Sequence, residues 1–434
     1  MRAGPIPRFG RRRSRSLTPF ILFFLVSAGL WAGVLTAQVE PVGRYFQVAG
    51  GDIFTSVSNL KLVMGPDGEV IVNYQLFDAR LGFTYFRMAY LDGDDQPAEV
   101  GPLPYLAPGS QVGASPDGGF VVTWGDFNYE LGKQSAQRLD AAGRSVGEEL
   151  VLAEDLLKSP VDVIFHQDGG FHVVWSFTAP QTSRRFSADG TPLGAPATLP
   201  KAWDRFAPAL GNGLVAVKAE EIEGAGQEIT GRRYNALGEA VGSGLRINTE
   251  SLGDQTYPAV SASTDGSFVV VWEHDVDGSR SIRGQRFSPF GTRRGPEFAI
   301  SDAEDLDAMD PDVAMADDGS FFVTWVGLQE SDSTAIRIRH YDACGIPRTE
   351  PIAFAVRMAS TVSLQMPRVA WAPPNRLAVV WNLFETIPGL PLPSPVLLQR
   401  FEVADPVLTQ IPTKAFAVRT PCPEDRVFGR KGSP

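Results

Sequence analysis

The sequence predicts an all-β fold, a seven-bladed β-propeller of four-stranded antiparallel blades, because three features recur along the chain with a period near fifty residues. The first feature is an Asp-Gly or Asn turn, and the second is an aromatic residue that closes the strand after it. The third is an apolar residue four positions before a glycine. Asp-Gly between alternating apolar runs favours a tight hairpin, and each repeat holds four short strands, so each repeat is predicted to form one blade.

The first two features define the seven repeats. The turn lies at Asp67, Asp117, Asp168, Asn212, Asp265, Asp318 and, in a degenerate form, Pro374-Asn375, with steps of 50, 51, 44, 53, 53 and 57 residues. The closing aromatic residue lies at Tyr74, Trp124, Trp175, Trp272, Trp325 and Trp381. The fourth repeat has Lys218 in this place, which indicates either a gap between two blades or sequence drift.

A solenoid of stacked sheets is the competing architecture, but the sequence lacks the atypical capping repeats that an open array needs. Two segments resemble the fourth strand of a repeat and could close the ring. One is 43–48, before the first repeat, and the other is 415–418, after the last. The sequence leaves the choice between them open.

The repeats resemble those of exported bacterial β-propeller repeat proteins over roughly residues 44–418. The residues that carry the resemblance are Phe-Val-Val-Thr-Trp at 120–124, Phe-Val-Val-Val-Trp at 268–272 and the Gly-Gln-Arg-Phe that follows at 284–287. The resemblance implies the fold and no particular activity. The segment 115–124 also begins like the Asp-box of sialidases, but its Thr-Trp comes two residues too late, which argues against a sialidase.

The N-terminus has the pattern of an export signal. Six arginines between Arg2 and Arg15 precede Leu17–Ala37, which are twenty-one uncharged and mostly apolar residues. We expect a signal peptide over 1–37 that is cleaved before Gln38, then a propeller over 44–418 and a tail over 419–434. An uncleaved membrane anchor is the alternative for 1–37. Either way the bulk of the chain is expected to be secreted, periplasmic or at the cell surface.

The charge of the predicted mature chain excludes one class of partner. Without the six N-terminal arginines, 33 basic residues stand against 50 acidic ones, a net charge of −17. Nucleic acid is therefore not an expected partner, since phosphate binding requires a basic patch. A membrane is a partner only if 1–37 stays attached, and we expect a monomer.

The two cysteines, Cys344 and Cys422, leave two alternatives open. In an oxidising compartment they could pair and tie the tail to the sixth repeat. Otherwise they are two buried thiols, and their spacing does not decide between these states.

No catalytic motif is present, and the metal signals are weak. His166 and His172 flank one predicted hairpin turn and can approach each other, but they lack a zinc-binding spacing, so packing is the favoured role. Asp275 and Asp277 form part of the alternating ligand pattern of a calcium loop, yet the third aspartate and the distal glutamate are missing. We therefore expect no cofactor, with calcium at Asp275 and Asp277 as a weak candidate.

Two further patterns concern the blades. The loop after the second strand is repeatedly acidic, which predicts either an electronegative face or a solubilising surface; its acids are Asp126, Glu130, Glu220, Glu221, Glu223, Glu273, Asp275, Asp277, Glu330, Asp332 and Glu385. Arginine also precedes the apolar residue of five third strands, at Arg138, Arg185, Arg233, Arg286 and Arg400. A residue that recurs in this way favours a structural bond, such as one to the Asp of the neighbouring turn, over a carbohydrate site.

These patterns favour a non-enzymatic binding or scaffold protein that recognises a protein or glycan through the loops of one face. The alternative is a carbohydrate-active hydrolase or lyase, which would need two carboxylates about 5 to 10 Å apart at the channel mouth. Convergent carboxylates from different blades, with raised pKa values, would favour the enzyme.

Overall fold

The computed structural model describes residues 38–49, 55–78, 83–92, 97–98, 109–125, 132–154, 159–176, 180–302, 305–329, 333–358, 362–385 and 395–404. The predicted signal segment and the predicted tail lie outside these residues. Among the described residues, no helix is both long and apolar enough to cross a membrane.

The described chain forms seven antiparallel sheets of four strands each, which confirms the predicted propeller. In chain order the strands are β1 (Gln38–Ala49), β2 (Thr55–Met64), β3 (Val70–Asp78), β4 (Phe83–Leu91), β5 (Pro97–Ala98), β6 (Gln111–Ala114), β7 (Phe120–Gly125), β8 (Gln134–Leu139), β9 (Ser145–Ala153), β10 (Ser159–Phe165), β11 (Phe171–Ser176), β12 (Gln181–Phe186), β13 (Pro192–Leu199), β14 (Arg205–Ala209), β15 (Gly213–Ile222), β16 (Gly226–Tyr234), β17 (Ala240–Arg246), β18 (Asp254–Ala262), β19 (Phe268–Val276), β20 (Ser279–Phe287), β21 (Arg293–Ala299), β22 (Asp307–Met315), β23 (Phe321–Leu328), β24 (Ser333–Tyr341), β25 (Ile352–Met358), β26 (Val362–Ala372), β27 (Arg376–Glu385) and β28 (Val396–Ala404). Blades 1 to 6 take β2–β25 four at a time, and blade 7 has the order β26-β27-β28-β1.

The N-terminal strand β1 closes the ring. It pairs antiparallel with β28 as the outermost strand of blade 7, and Val39 lies opposite Val403. Of the two segments that resemble a fourth strand, 43–48 thus takes this place, whereas 415–418 lies outside the described residues. The first and last blades are joined by hydrogen bonds within one sheet, so the ring does not depend on side-chain packing alone.

The hydrophobic core consists of layers between neighbouring blades. In the described part of the chain, buried apolar side chains form seven clusters, each shared by two adjacent blades. One of these clusters joins Val70 of blade 1 to Val380 of blade 7. The innermost strands also contact one another in sequence around the ring, including β2 with β26. Both faces of each blade are therefore covered, which explains why the second strands read as continuous apolar runs.

The closing aromatic residues fill the layer toward the preceding blade. Trp272 is fully buried between blades 4 and 5, and Trp325 between blades 5 and 6. In blade 4, where Lys218 replaces the aromatic residue, Trp203 from the preceding link is buried between blades 3 and 4. Its indole Nε1 donates a hydrogen bond of 3.0 Å to the hydroxyl of Tyr234. The interface between blades 3 and 4 is thus filled by an indole from a different position in the repeat.

Cys344 lies in the turn between the third and fourth strands of blade 6 and is disulfide-bonded. The other cysteine, Cys422, lies outside the described residues.

Candidate functional site

The antiparallel blades give the ring two different faces. One face carries the links between blades and the hairpins between second and third strands, such as 277–278, and we call it the loop face. The opposite face carries the tight turns between first and second strands and between third and fourth strands, such as 264–266 and 289–291, and we call it the turn face. The central channel runs between the two faces along the innermost strands.

On the turn face, the recurring arginines join neighbouring blades. The guanidinium of Arg233 donates to the carbonyl of Pro289 in the next blade at 3.2 Å, and that of Arg286 donates to the carbonyl of Ala343 at 2.9 Å. Arg400 of blade 7 reaches the carbonyl of Asp92 in blade 1 at 2.9 Å. The predicted structural role is thus right, but these bonds run between blades, whereas the expected bond lay within one blade.

Blade 3 uses a histidine pair in place of this arginine bond. Arg185 turns to Asp168 of its own blade, which is the expected intrablade pair. His172 Nε2 lies 3.1 Å from the carbonyl oxygen of Ala236 in the next blade, and His172 Nδ1 lies 2.7 Å from His166 Nε2. Because a carbonyl can only accept, His172 carries its proton on Nε2 and accepts at Nδ1 from His166.

Both imidazoles are held in the neutral form. Burial lowers the pKa of His166 to about 4, with a further contribution from the Arg185 cation. Burial and the neighbouring His166 lower the pKa of His172 to about 3. Through its bond to Ala236, the pair forms a hydrogen-bonded contact between blades 3 and 4. The described residues contain no group of three or more His, Cys, Asp or Glu side chains able to hold a metal ion.

The channel is crossed by charged side chains of the innermost strands. Lys61 of blade 1 forms an ion pair with Asp162 of blade 3. This pair joins two blades that are separated in the ring by blade 2. Electrostatic interactions also link Asp312 of blade 6 with Arg368 of blade 7 and Arg205 of blade 4. Burial raises the pKa of Asp312, although Arg368 and a 2.9 Å hydrogen bond from the amide of Val369 oppose that shift. The innermost strands thus carry charged contacts between blades that are not neighbours in the ring.

Carboxylates from different blades do approach each other at the loop-face end of the channel. Glu273 of blade 5 accepts a hydrogen bond of 2.7 Å from the amide of Asp310 in blade 6. Asp310 has a φ of 54°, in the left-handed region, so its amide points toward the previous blade. Burial, with the charges of Asp310 and Asp307, raises the pKa of Glu273 to about 7. Only 2% of Glu273 is exposed, so its carboxylate serves this backbone amide rather than solvent or a ligand.

Replacement of Glu273 should change how the free energy of unfolding depends on pH, because burial disfavours the charged form of its carboxylate. The folded pKa of about 7 lies above the ordinary value of 4.5, so the fold favours the protonated acid, and stability falls as pH rises from about 4.5 through 7. Glu273→Gln keeps an oxygen for the Asp310 amide and removes the charge. We expect the variant to be more stable than wild type by up to about 3 kcal/mol at pH 8.5 and nearly equal at pH 4.5 in urea unfolding. Equal differences at both pH values would contradict a buried, protonated Glu273.

The calcium candidate forms an ordinary hairpin. Asp277 and Gly278 both have positive φ, at 54° and 85°, as a two-residue turn of type I′ requires. The carboxylate of Asp275 accepts a 2.8 Å bond from the amide of Gly278, which closes that turn. The Asp-Val-Asp-Gly sequence is thus explained by the turn, and calcium binding there stays an untested prediction.

The acidic loops lie on the loop face where they are described. Glu221, Glu223 and Asp277 are exposed, whereas Glu220 is paired with Lys201. The predicted acids Asp126, Glu130, Glu330 and Asp332 lie outside the described residues, and for Glu385 only the backbone is described.

The channel charges and one exposed aromatic side chain were not predicted from the sequence. Asp312 and Arg368 each follow a proline by one residue in the innermost strand, at a position where blade 5 has Ala259. A position-by-position comparison of the first strands would have shown these charges. Tyr257, which precedes the proline of blade 5, has a φ of 49° and is 65% exposed near the channel mouth.

No protein-family model matches the chain, and no curated protein matches it. Among solved structures, the chain is similar to a protein of unknown function from Dyadobacter fermentans, with 12% identity, a TM-score of 0.49 and coverage of 84% of this chain and 99% of that one. It is also similar to the β-propeller domain of the Trilobed protease from Pyrococcus furiosus, with 12% identity, a TM-score of 0.46 and coverage of 83% and 100%. A polysaccharide lyase named as an ulvan lyase matches with 9% identity, a TM-score of 0.39 and coverage of 81% and 96%. At these values none of the three bears on activity, and the propeller assignment rests on the sheet topology.

Proposed function

We propose that this protein is an exported, non-enzymatic binding or scaffold propeller that recognises a protein or glycan through its loop face. The observation that carries the proposal is Tyr257, a large aromatic side chain that is 65% exposed on a backbone in the left-handed region. The same conformation recurs at the bulge of three other innermost strands, at Asn59, Asp310 and Met366, so the exposed ring rather than the backbone distinguishes Tyr257. An exposed tyrosine of this kind is a typical anchor at binding surfaces.

Other exposed side chains of the loop face support a binding surface there. Leu252 and Leu306 lie in the links that precede blades 5 and 6, and both are at least half exposed. Exposed acids from the same face, Glu223 and Asp277, add negative charge. Apolar anchors among charged side chains are the usual composition of a protein or carbohydrate interface, and the acids favour a partner that is not acidic.

Export rests on the sequence of residues 1–37, whose basic start and apolar continuation fit a signal peptide. The motifs at 120–124 and 268–272 likewise support membership of the exported bacterial repeat proteins.

A carbohydrate-active hydrolase or lyase is the second candidate, and the raised pKa of Glu273 beside Asp310 favours it. Such an enzyme requires carboxylates that the substrate can reach. Because Glu273 is buried and bonded to a backbone amide, we place this candidate second.

The proposal is tested by changing one exposed aromatic residue on each face. Tyr257→Asn removes the ring, and asparagine tolerates a positive φ, so the backbone should be kept. Phe290→Asn is the matched control, since Phe290 is 68% exposed on the turn face. Wild type is applied to an array of neutral and acidic glycans and of basic and acidic proteins. We expect binding to one class that falls about thirtyfold in Tyr257→Asn, as for an interface hot spot, and is unchanged in Phe290→Asn.

Binding that survives in Tyr257→Asn, or that is lost equally in both variants, would contradict a site on the loop face. Release of unsaturated or shortened saccharides from the array would favour the enzyme instead.

A further inference from the structure

A second candidate site lies on the turn face, between blades 2 and 3. It is an open pocket of about 240 Å³. Its lining includes Asp117, Phe120, Arg138, Asp140, Phe165 and Ala188. The pocket is separate from the loop face, so a ligand bound there is independent of the function proposed for that face.

Arg138 occupies the repeat position whose arginine joins neighbouring blades in blades 4, 5 and 7 and pairs with an aspartate of its own blade in blade 3. Its counterparts Arg233 and Arg286 donate to turn carbonyls of the next blade. In blade 1 the same position is Tyr90, whose hydroxyl donates to the carbonyl of Ala141 in blade 2. Within the part of the chain that the structure describes, the guanidinium of Arg138 makes no hydrogen bond or ion pair, although the equivalent turn residue Ala188 lines the same pocket.

The two acids of the pocket differ in their availability. Partial burial of Asp140 acts to raise the pKa of its carboxyl group. Hydrogen bonds from the amide and guanidinium of Arg144 outweigh this effect and hold that pKa below its usual value. This carboxylate also accepts from the amide of Ala142 at 2.9 Å, so it is already satisfied. Asp117 is exposed, and it makes no side-chain hydrogen bond or ion pair among the described residues. The pocket thus offers one cation and one acceptor to a ligand.

The shape and charge of the pocket limit the ligand. Phe165 is half-buried in the layer between blades 2 and 3 and supplies an apolar wall, on which the carbon face of a sugar ring can pack. The volume lies below the roughly 300–1,000 Å³ of pockets for drug-sized ligands, so it suits a single ring. A guanidinium binds a carboxylate through two parallel bonds, whereas Asp117 would repel a dianion such as phosphate and can accept from a hydroxyl group.

We propose that this pocket binds a small hydroxylated monocarboxylate, of which a single uronic acid is the simplest case. Arg138 holds the carboxylate, Asp117 accepts from a ring hydroxyl, and Phe165 packs against one face of the ring. Blade 2 has thereby exchanged an interblade bond for a ligand site.

The test is calorimetric titration of the full chain with D-glucuronate, its methyl ester and D-glucose. We expect saturable binding of glucuronate that weakens at least tenfold for the ester and in Arg138→Gln. The matched control is Arg233→Gln, the same repeat position two blades further along. It should keep glucuronate binding and lower the melting temperature, whereas Arg138→Gln should leave the melting temperature unchanged.

Three results would overturn the proposal. They are the absence of saturable glucuronate binding by wild type, equal affinity for the acid and its ester, and equal affinity in wild type and Arg138→Gln. A fall in melting temperature in Arg138→Gln equal to that in Arg233→Gln would show that Arg138 is another interblade bond.

Discussion

Removal of β1 should abolish the cooperative unfolding of the propeller. In the structure, β1 and β28 share eight opposed residue pairs, and β28 contributes the fully buried side chains of Val396 and Leu398. Without β1, β28 becomes an exposed edge, and blade 7 has three strands in place of four. At about 1 kcal/mol per hydrogen bond, the loss is on the order of 5 to 8 kcal/mol, which is comparable with the whole stability of an ordinary domain.

The measurement is urea unfolding of chains that begin at residue 38 and at residue 50. The matched control ends at residue 404 and carries Cys344→Ser in each chain compared, so that the loss of Cys422 does not affect the result. We expect the chain beginning at residue 50 to lose its cooperative transition and the one ending at residue 404 to keep it. The opposite result would mean that the C-terminal segment closes the ring.

Lowering the pH should reduce the free energy of unfolding of the propeller, because His166 and His172 are buried in their neutral form. Folding holds His166 at a pKa of about 4 and His172 at about 3, below the ordinary value of 6.5. The fold therefore favours the neutral rings, so their contribution is complete above pH 6.5 and is lost as pH falls toward about 4. His166 alone accounts for about 3 kcal/mol over this interval, and His172 adds to it.

A variant with both His166→Gln and His172→Gln cannot take up these protons. Its free energy of unfolding should be lower than that of wild type at pH 7.5, because the contact with Ala236 is altered. Between pH 6.5 and 4.5 it should fall by at least about 2 to 3 kcal/mol less than that of wild type. The carboxylates titrate in both proteins, so the difference isolates the pair. Equal pH dependence would show that the rings are not held neutral by burial.

The blades could be predicted because their signals are local. Asp265 and Gly266 form a turn wherever they stand between apolar runs, and Trp272 follows at a fixed distance within the same hairpin. Such features depend on residues that are close together in the sequence. The repeat then supplies the number of blades, and the ring follows from packing each blade against the next.

The site was less predictable because its contacts join distant repeats. Lys61 and Asp162 are 101 positions apart, and nothing in either repeat indicates the other. In the sequence, Glu273 is one of several acids expected in an exposed loop. In the structure it belongs to β19 and lies against blade 6, where burial raises its pKa. The partner of Arg286 likewise depends on how closely blade 6 approaches, which the sequence of blade 5 does not encode.

The closure of the ring by β1 underlies both faces and the channel, and a disulfide cross-link tests it most directly. Glu40 and Glu402 lie directly opposite each other in the β1–β28 ladder, within the Cα separation that a disulfide can span. The double variant Glu40→Cys, Glu402→Cys should cross-link almost completely under mild oxidation, as measured by peptide mass spectrometry. The offset pair Glu40→Cys, Arg400→Cys should cross-link far less. Equal yields from both pairs, or no cross-link between positions 40 and 402 in the folded protein, would contradict a propeller closed by its N-terminal strand.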